Sequence, residues 1–66
     1  MVTFDIPEKL RYKRRNLRLL LRELSFKQVQ KSVWVTDLDA KNYLQMNIKQ
    51  EFLEPYVKIY EVSEIN

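Results

Sequence analysis

The stretch Val2-Thr3-Phe4-Asp5-Ile6-Pro7-Glu8-Lys9-Leu10-Arg11 (VTFDIPEKLR, residues 2–11) changes its period halfway along, and the rest of the chain is read outward from that change. Val2, Phe4 and Ile6 alternate with Thr3 and Asp5, the period-two pattern of a strand with one apolar face. Asp5 falls on the opposite face, near the carboxyl end of that strand. Pro7 and Glu8 suit the first turn of a helix: proline loses no needed donor there, and an acid favours the positive end of the helix dipole. The stretch therefore predicts a strand ending at Pro7 and a helix over residues 7–24.

On a wheel of about 100° per residue, Leu10, Leu17, Leu20, Leu21 and Leu24 fall within one stripe, the expected core face. Arg11, Arg15, Arg18 and Arg22 form a second stripe adjoining it. Tyr12 and Leu19 lie on the far side, exposed in a monomer, where they are either ordinary surface residues or a partner contact.

Residues 26–38 (FKQVQKSVWVTDL) are rich in β-branched and aromatic side chains and read as extended. Thirteen residues exceed the usual strand, so a hairpin or bulge is expected near Lys31 and Ser32. Asp39 suits the N-cap of a second helix over residues 40–51, whose apolar positions (Tyr43, Leu44, Met46, Ile48) are irregularly spaced. Pro55 closes that segment, and YVKIYEV (residues 56–62) is a last strand in which Val57 and Ile59 oppose Tyr56, Lys58 and Tyr60. With the first and last strands in one sheet, right-handed crossovers put both helices on the same face. The expected fold is an α+β, ferredoxin-like βαββαβ sandwich with an antiparallel sheet, one domain over residues 1–66.

Composition bounds the function. A chain of 66 residues and 8.1 kDa buries a small core, about 60% of its unfolded surface, and without cysteine it has no disulfide to reinforce it. Pairing of the free sheet face with a second copy, giving a homodimer, is the expected way to bury more. The absence of His and Cys excludes the usual zinc ligand sets, and the absence of Gly excludes Rossmann and P-loop phosphate cradles. The longest apolar run, Leu19 to Leu21, is too short to span a bilayer, and a signal peptide is not visible, so no membrane association and a cytoplasmic location are expected.

The formal charge is only +3, but seven of the twelve basic residues (Lys9, Arg11, Lys13, Arg14, Arg15, Arg18, Arg22) lie between Glu8 and Leu24. Such a run is either a solvated face or a sequence-independent contact with a phosphate backbone. Base readout is not expected of an arginine stripe without Asn or Gln beside it. Trp34, Tyr56 and Tyr60 suit core or dimer packing better than stacking on bases. Ser32 lacks a His partner and is better placed in a hairpin hydrogen bond than as a nucleophile. Asp5 has a structural reading as an acceptor for the amides near residues 7–9. A ribbon-helix-helix repressor is disfavoured, because two extended segments after the long helix would remain unhoused.

VTFDIP followed by a basic helix, then FKQVQKSVWV, then VKIYEV, resembles the CRISPR-associated Cas-two family of the spacer-acquisition machinery. Val29, Gln30, Ser32, Val33 and Trp34 fit the spacing of its second extended segment. FDIPEKLR with SVWV looks at least as much like the Cas-two-like central domain of PaaX-type transcriptional repressors. Both relationships imply a ferredoxin-like protomer and a homodimer. The CRISPR branch implies an endonuclease acting on RNA or DNA in antiviral defence, with Asp5 as the catalytic residue and ligand of Mg²⁺; two copies of Asp5 across a two-fold axis would supply two carboxylates. It also implies a scaffold that bridges CRISPR integrase subunits and touches the duplex backbone. By position rather than by motif, Arg14, Arg15, Arg18 and Lys31 are the candidates for that contact. The PaaX branch implies a dimerisation domain without catalysis. In the CRISPR branch the chain commonly continues into a further strand that pairs with the partner, whereas this sequence ends at Asn66. Ser25 also stands where that family often has Gly, which removes an easy left-handed helix cap at a cost of about 1 kcal/mol.

Overall fold

The computed structural model describes residues 1–36 and 40–60. In chain order the elements are β1 (Val2–Phe4), α1 (Arg11–Glu23), β2 (Lys27–Gln30), β3 (Val33–Val35), α2 (Lys41–Gln50) and β4 (Val57–Ile59). A single 3-10 turn, Glu8–Leu10, precedes α1. The strands form one antiparallel sheet in the order β2-β3-β1-β4, the α+β, ferredoxin-like arrangement.

Register explains which residues meet. Val2 pairs with Trp34 on one side and Ile59 on the other, and Phe4 pairs with Val57. These positions therefore share one sheet face, and four of the five (Val2, Phe4, Trp34 and Val57) are buried with Leu17 and Leu21 of α1 and Leu44 and Ile48 of α2 in a single cluster. Leu10, Leu20 and Leu24 pack at its margin, so the leucine stripe read from the sequence is the core face. Among the described residues, nothing covers the other sheet face. Thr3 pairs with Val33 and Lys58, and Val35 with Lys27, giving a half-buried centre of Thr3, Val33 and Val35 between exposed lysines on the edge strands.

Several boundaries are shorter than the sequence suggests. β1 ends at Phe4 rather than at Pro7, although the Asp5 amide still donates to the Tyr56 carbonyl at 2.8 Å and Ile6 stays buried. Pro7 is extended (ψ 151°), and the chain takes the 3-10 turn before α1 begins at Arg11. The extended run breaks at Lys31–Ser32, as expected, and also carries an irregularity between Gln28 and Gln30. The N-cap position of α2 is Ala40, which offers no side-chain cap; Asp39, expected there, lies outside the described residues, as do residues 37, 38 and 61–66.

Both helices end in a left-handed residue. At α1, Ser25 has φ 64°, its amide donates to the Arg22 carbonyl and that of Phe26 to Leu21. At α2, Phe52 has φ 57°, its amide donates to Lys49 and that of Leu53 to Ile48. The paired bonds define a Schellman cap in each case, so Ser25 takes the conformation for which glycine is the easier residue. Lys13 ties the two helices together: its Nζ donates to the Glu51 carbonyl at 2.6 Å and lies 5.6 Å from the centre of the Phe52 ring.

Candidate nucleic-acid interface

α1 lies on the sheet with its leucines down, and the helical repeat then fixes where its cations go. Lys13 is on the flank facing the C-terminus of α2, while the arginines are on the other flank. Arg11, Arg14, Arg15, Arg18, Leu19 and Arg22 line an open groove of about 320 Å³ there. The structure brings Arg14, Arg15 and Arg18 together, as the sequence suggests. Lys31 is not part of the lining: it is exposed in the turn between β2 and β3.

The arginines of the groove differ in their bonding. Arg14 is committed to the fold: its Nη2 donates to Glu8 Oε2 at 3.0 Å and its Nη1 to the Ile6 carbonyl at 3.4 Å, which ties the 3-10 turn to α1. Arg11 lies 3.9 Å from the same Glu8 carboxylate. Because Glu8 is largely exposed, this pairing contributes on the order of 0–1 kcal/mol, but it offsets charge at the N-terminal end of the groove. Arg15, Arg18 and Arg22 have no carboxylate partner among the described residues. Arg18 sits 5.9 Å from the centre of the Phe4 ring, and Arg22 sits 5.8 Å from that of Trp34. An arginine over an aromatic face is attracted by the ring quadrupole and held in place. Two nitrogens pay for this packing with unmet hydrogen bonds: Arg18 Nε and Trp34 Nε1 are buried and, among the described residues, lack an acceptor.

Trp34 is 1% exposed, so it belongs to the core rather than to a base-stacking platform. Tyr56 is half-buried against the same core and Tyr60 is exposed. Arg11 and Arg22 also line the groove, although position along the sequence points only to Arg14, Arg15 and Arg18 there; the stripe they share with Arg18 is the sequence signal, and Trp34 beneath Arg22 is visible only in three dimensions.

Asp5 is exposed just beyond β1, with the bare sheet face on its side of the strand. The Phe4 amide donates to the Ser32 carbonyl at 3.2 Å, so the turn bearing Lys31 lies at the same end of the sheet. The structural role expected for Asp5 is not realised. Its carboxylate accepts no hydrogen bond among the described residues, because Pro7 is extended and the Leu10 amide donates instead to the Pro7 carbonyl at 2.9 Å. As a ligand for a divalent cation, Asp5 supplies a hard carboxylate free of other partners, but one protomer supplies only that one. Among the described residues, no three His, Cys, Asp or Glu side chains gather into a metal-ligating group. Among these residues, too, no helix is long and apolar enough to cross a membrane.

No curated protein and no solved structure matches the chain at a significant level. A family match does exist, and it agrees with the fold, the FDIPEKLR start and the SVWV strand. The profile of the PaaX protein central Cas2-like domain matches residues 1–66, and the chain belongs to that family.

Proposed function

We infer that this chain is a non-catalytic dimerisation and scaffold domain of the PaaX type. Two copies pair through the bare sheet face, and each lays the arginine flank of α1 against the backbone of a nucleic-acid duplex. The observation that carries the reading is the one-sided charge of α1, where five arginines line one groove and, among the described residues, Glu8 alone pairs with any of them. Such a surface neutralises phosphates without reading bases, so its binding should be strongly salt-dependent. The half-buried stripe of Thr3, Val33 and Val35 supports pairing, since a second copy would cover it. In a CRISPR setting the same scaffold would add an integrase subunit as partner; the PaaX family match favours the regulator setting. The test is duplex binding followed against salt. Replacing Arg14, Arg15 and Arg18 together by Ala should weaken binding and flatten the salt slope, and an unchanged slope would remove the basic helix from the account.

A second reading is favoured by one observation, the exposed Asp5 carboxylate at the end of β1, which has no partner among the described residues. In a dimer two such carboxylates would hold Mg²⁺ at the two-fold axis, with water and substrate phosphate completing the coordination. Mg²⁺ supplies Lewis acidity and an activated water when bound; the chain's own part is to orient the ion and, through the basic flank, the strand. Asp5→Ala should then abolish Mg²⁺-dependent cleavage of RNA or DNA while leaving the thermal melt unchanged. Cleavage that survives in the variant rules this reading out.

A further inference from the structure

The groove on α1 is not a uniform patch of charge. At its N-terminal end Arg11 and Arg14 share Glu8, and Arg14 also donates to the backbone of Ile6. Toward the C-terminal end Arg18 and Arg22 have, among the described residues, no acid paired with them and rest on Phe4 and Trp34. Glu23, the acid nearest in sequence to that end, falls about 100° round the helix from Arg22. The two aromatic rings belong to adjacent strands, β1 and β3, and are fixed in the core, so the guanidinium groups they support are pre-organised rather than free to sweep through solvent.

We propose that Arg15, Arg18 and Arg22 form a phosphate ladder for a single nucleic-acid strand running along α1, with Phe4 and Trp34 as positioning residues beneath it and Arg14 outside it. This rests on the nucleic-acid reading above and narrows it to named contacts. From Arg15 to Arg22 the helix rises about 10 Å at about 1.5 Å per residue. Successive arginines are thus about 4.5–6 Å apart along the axis, a spacing that their long side chains can adapt to neighbouring phosphates of one strand. Arg18 Nε is buried without an acceptor among the described residues, so the outer N–H groups of its guanidinium are the ones left for a phosphate. The stacked arginines keep their remaining N–H groups for the ligand, and a guanidinium can meet a phosphate through two of them. Because a cation on a ring face loses little freedom when it binds, Arg18 and Arg22 should carry more of the affinity than the unsupported Arg15.

The ladder has a built-in reporter, because Trp34 is the sole tryptophan of the chain and lies under Arg22. The experiment is titration of the whole chain with a duplex of random sequence at several salt concentrations, following both Trp34 emission and an independent binding signal from labelled DNA. Arg18→Gln and Arg22→Gln should each lower the slope of log K against log salt by about 1, and by about 2 together. Lys49→Gln, the same charge loss on exposed α2, should leave the slope unchanged. Arg22→Lys keeps the charge without the planar stack, so it should retain most of the slope, bind several-fold more weakly and lose the emission change. Thermal melts of each variant separate lost binding from lost folding. If wild-type protein binds DNA but the slope ignores Arg18 and Arg22, the ladder is wrong and the broader backbone reading stands. Absence of any duplex binding at low salt overturns both. Inorganic tripolyphosphate binding more tightly than duplex, with the same Trp34 response, would assign the groove to a small oligophosphate and also overturn the ladder.

Discussion

Ser25 and Phe52 occupy equivalent places, each the first residue past a helix in the left-handed region, and neither side chain belongs there. A side chain beyond Cα in that conformation crowds the following carbonyl, at about 1–2 kcal/mol. Ser25 is exposed, so glycine would relieve the crowding without removing a packed side chain. Glycine also loosens the unfolded chain, and Ser25→Gly should therefore gain a net of about 0.5–1 kcal/mol, read as a higher urea midpoint with an unchanged slope. No gain would mean that Ser25 stabilises the turn by a route other than its backbone. Phe52→Gly should gain less, because it gives up the Lys13 stack. At the other end of α1, Glu8→Gln releases Arg11 and Arg14, and it should cost less than about 1 kcal/mol in stability while tightening duplex binding at low salt. A weakened complex would show that the Glu8 pairs organise the groove rather than damp it.

The two helices show what each element owes to its own sequence and what to its neighbours. The α1 leucines at spacings of four and three gave the buried face directly, and Leu17 and Leu21 are fully buried. α2 has only Leu44 and Ile48 at i, i+4 on its buried side, with Tyr43 and Met46 exposed, so its register was hidden among apolar residues of both kinds. The break between β2 and β3 was readable from length alone. The bonding of Asp5 was not, since the choice between a capping turn and an extended Pro7 is made by the hydrogen bond from the Asp5 amide to Tyr56, a residue remote in sequence. Nor could the sequence reveal the split of the arginines into paired and stacked sets, which depends on strands β1 and β3 lying side by side. Leu21→Ala, at 0% exposure in the packing of α1 on the sheet, should cost about 2–5 kcal/mol. In a domain whose whole stability is on the order of 3–10 kcal/mol, that leaves a largely unfolded chain at 37 °C, visible as lost helical circular dichroism. A variant retaining a sharp melt near that of the wild type would contradict this account of the core.

At the scale of the molecule, the sheet face left uncovered by the helices, with its half-buried stripe of Thr3, Val33 and Val35, is where a second copy would pair. Sedimentation at micromolar concentration should give a mass near twice 8.1 kDa, and Val33→Lys, which puts a charge in the middle of that stripe, should return it to a monomer that still melts cooperatively. A wild-type monomer would refute the paired face. The same small size bears on the absence of glycine. Without glycine the unfolded chain samples fewer backbone states, and each residue that replaces a glycine at an undemanding position favours the folded state by about 0.4–1 kcal/mol. The two Schellman turns are the points where that advantage reverses, because there the folded chain needs the one conformation that glycine alone takes freely. Among the described residues, left-handed backbone is thus confined to the last turns of α1 and α2. Those turns should be where the native protein first breathes. In hydrogen exchange, the amides of Phe26 and Leu53, which close the caps on Leu21 and Ile48, are expected to exchange ahead of the helical amides just before them, so that the chain opens from two defined seams while its sheet stays closed.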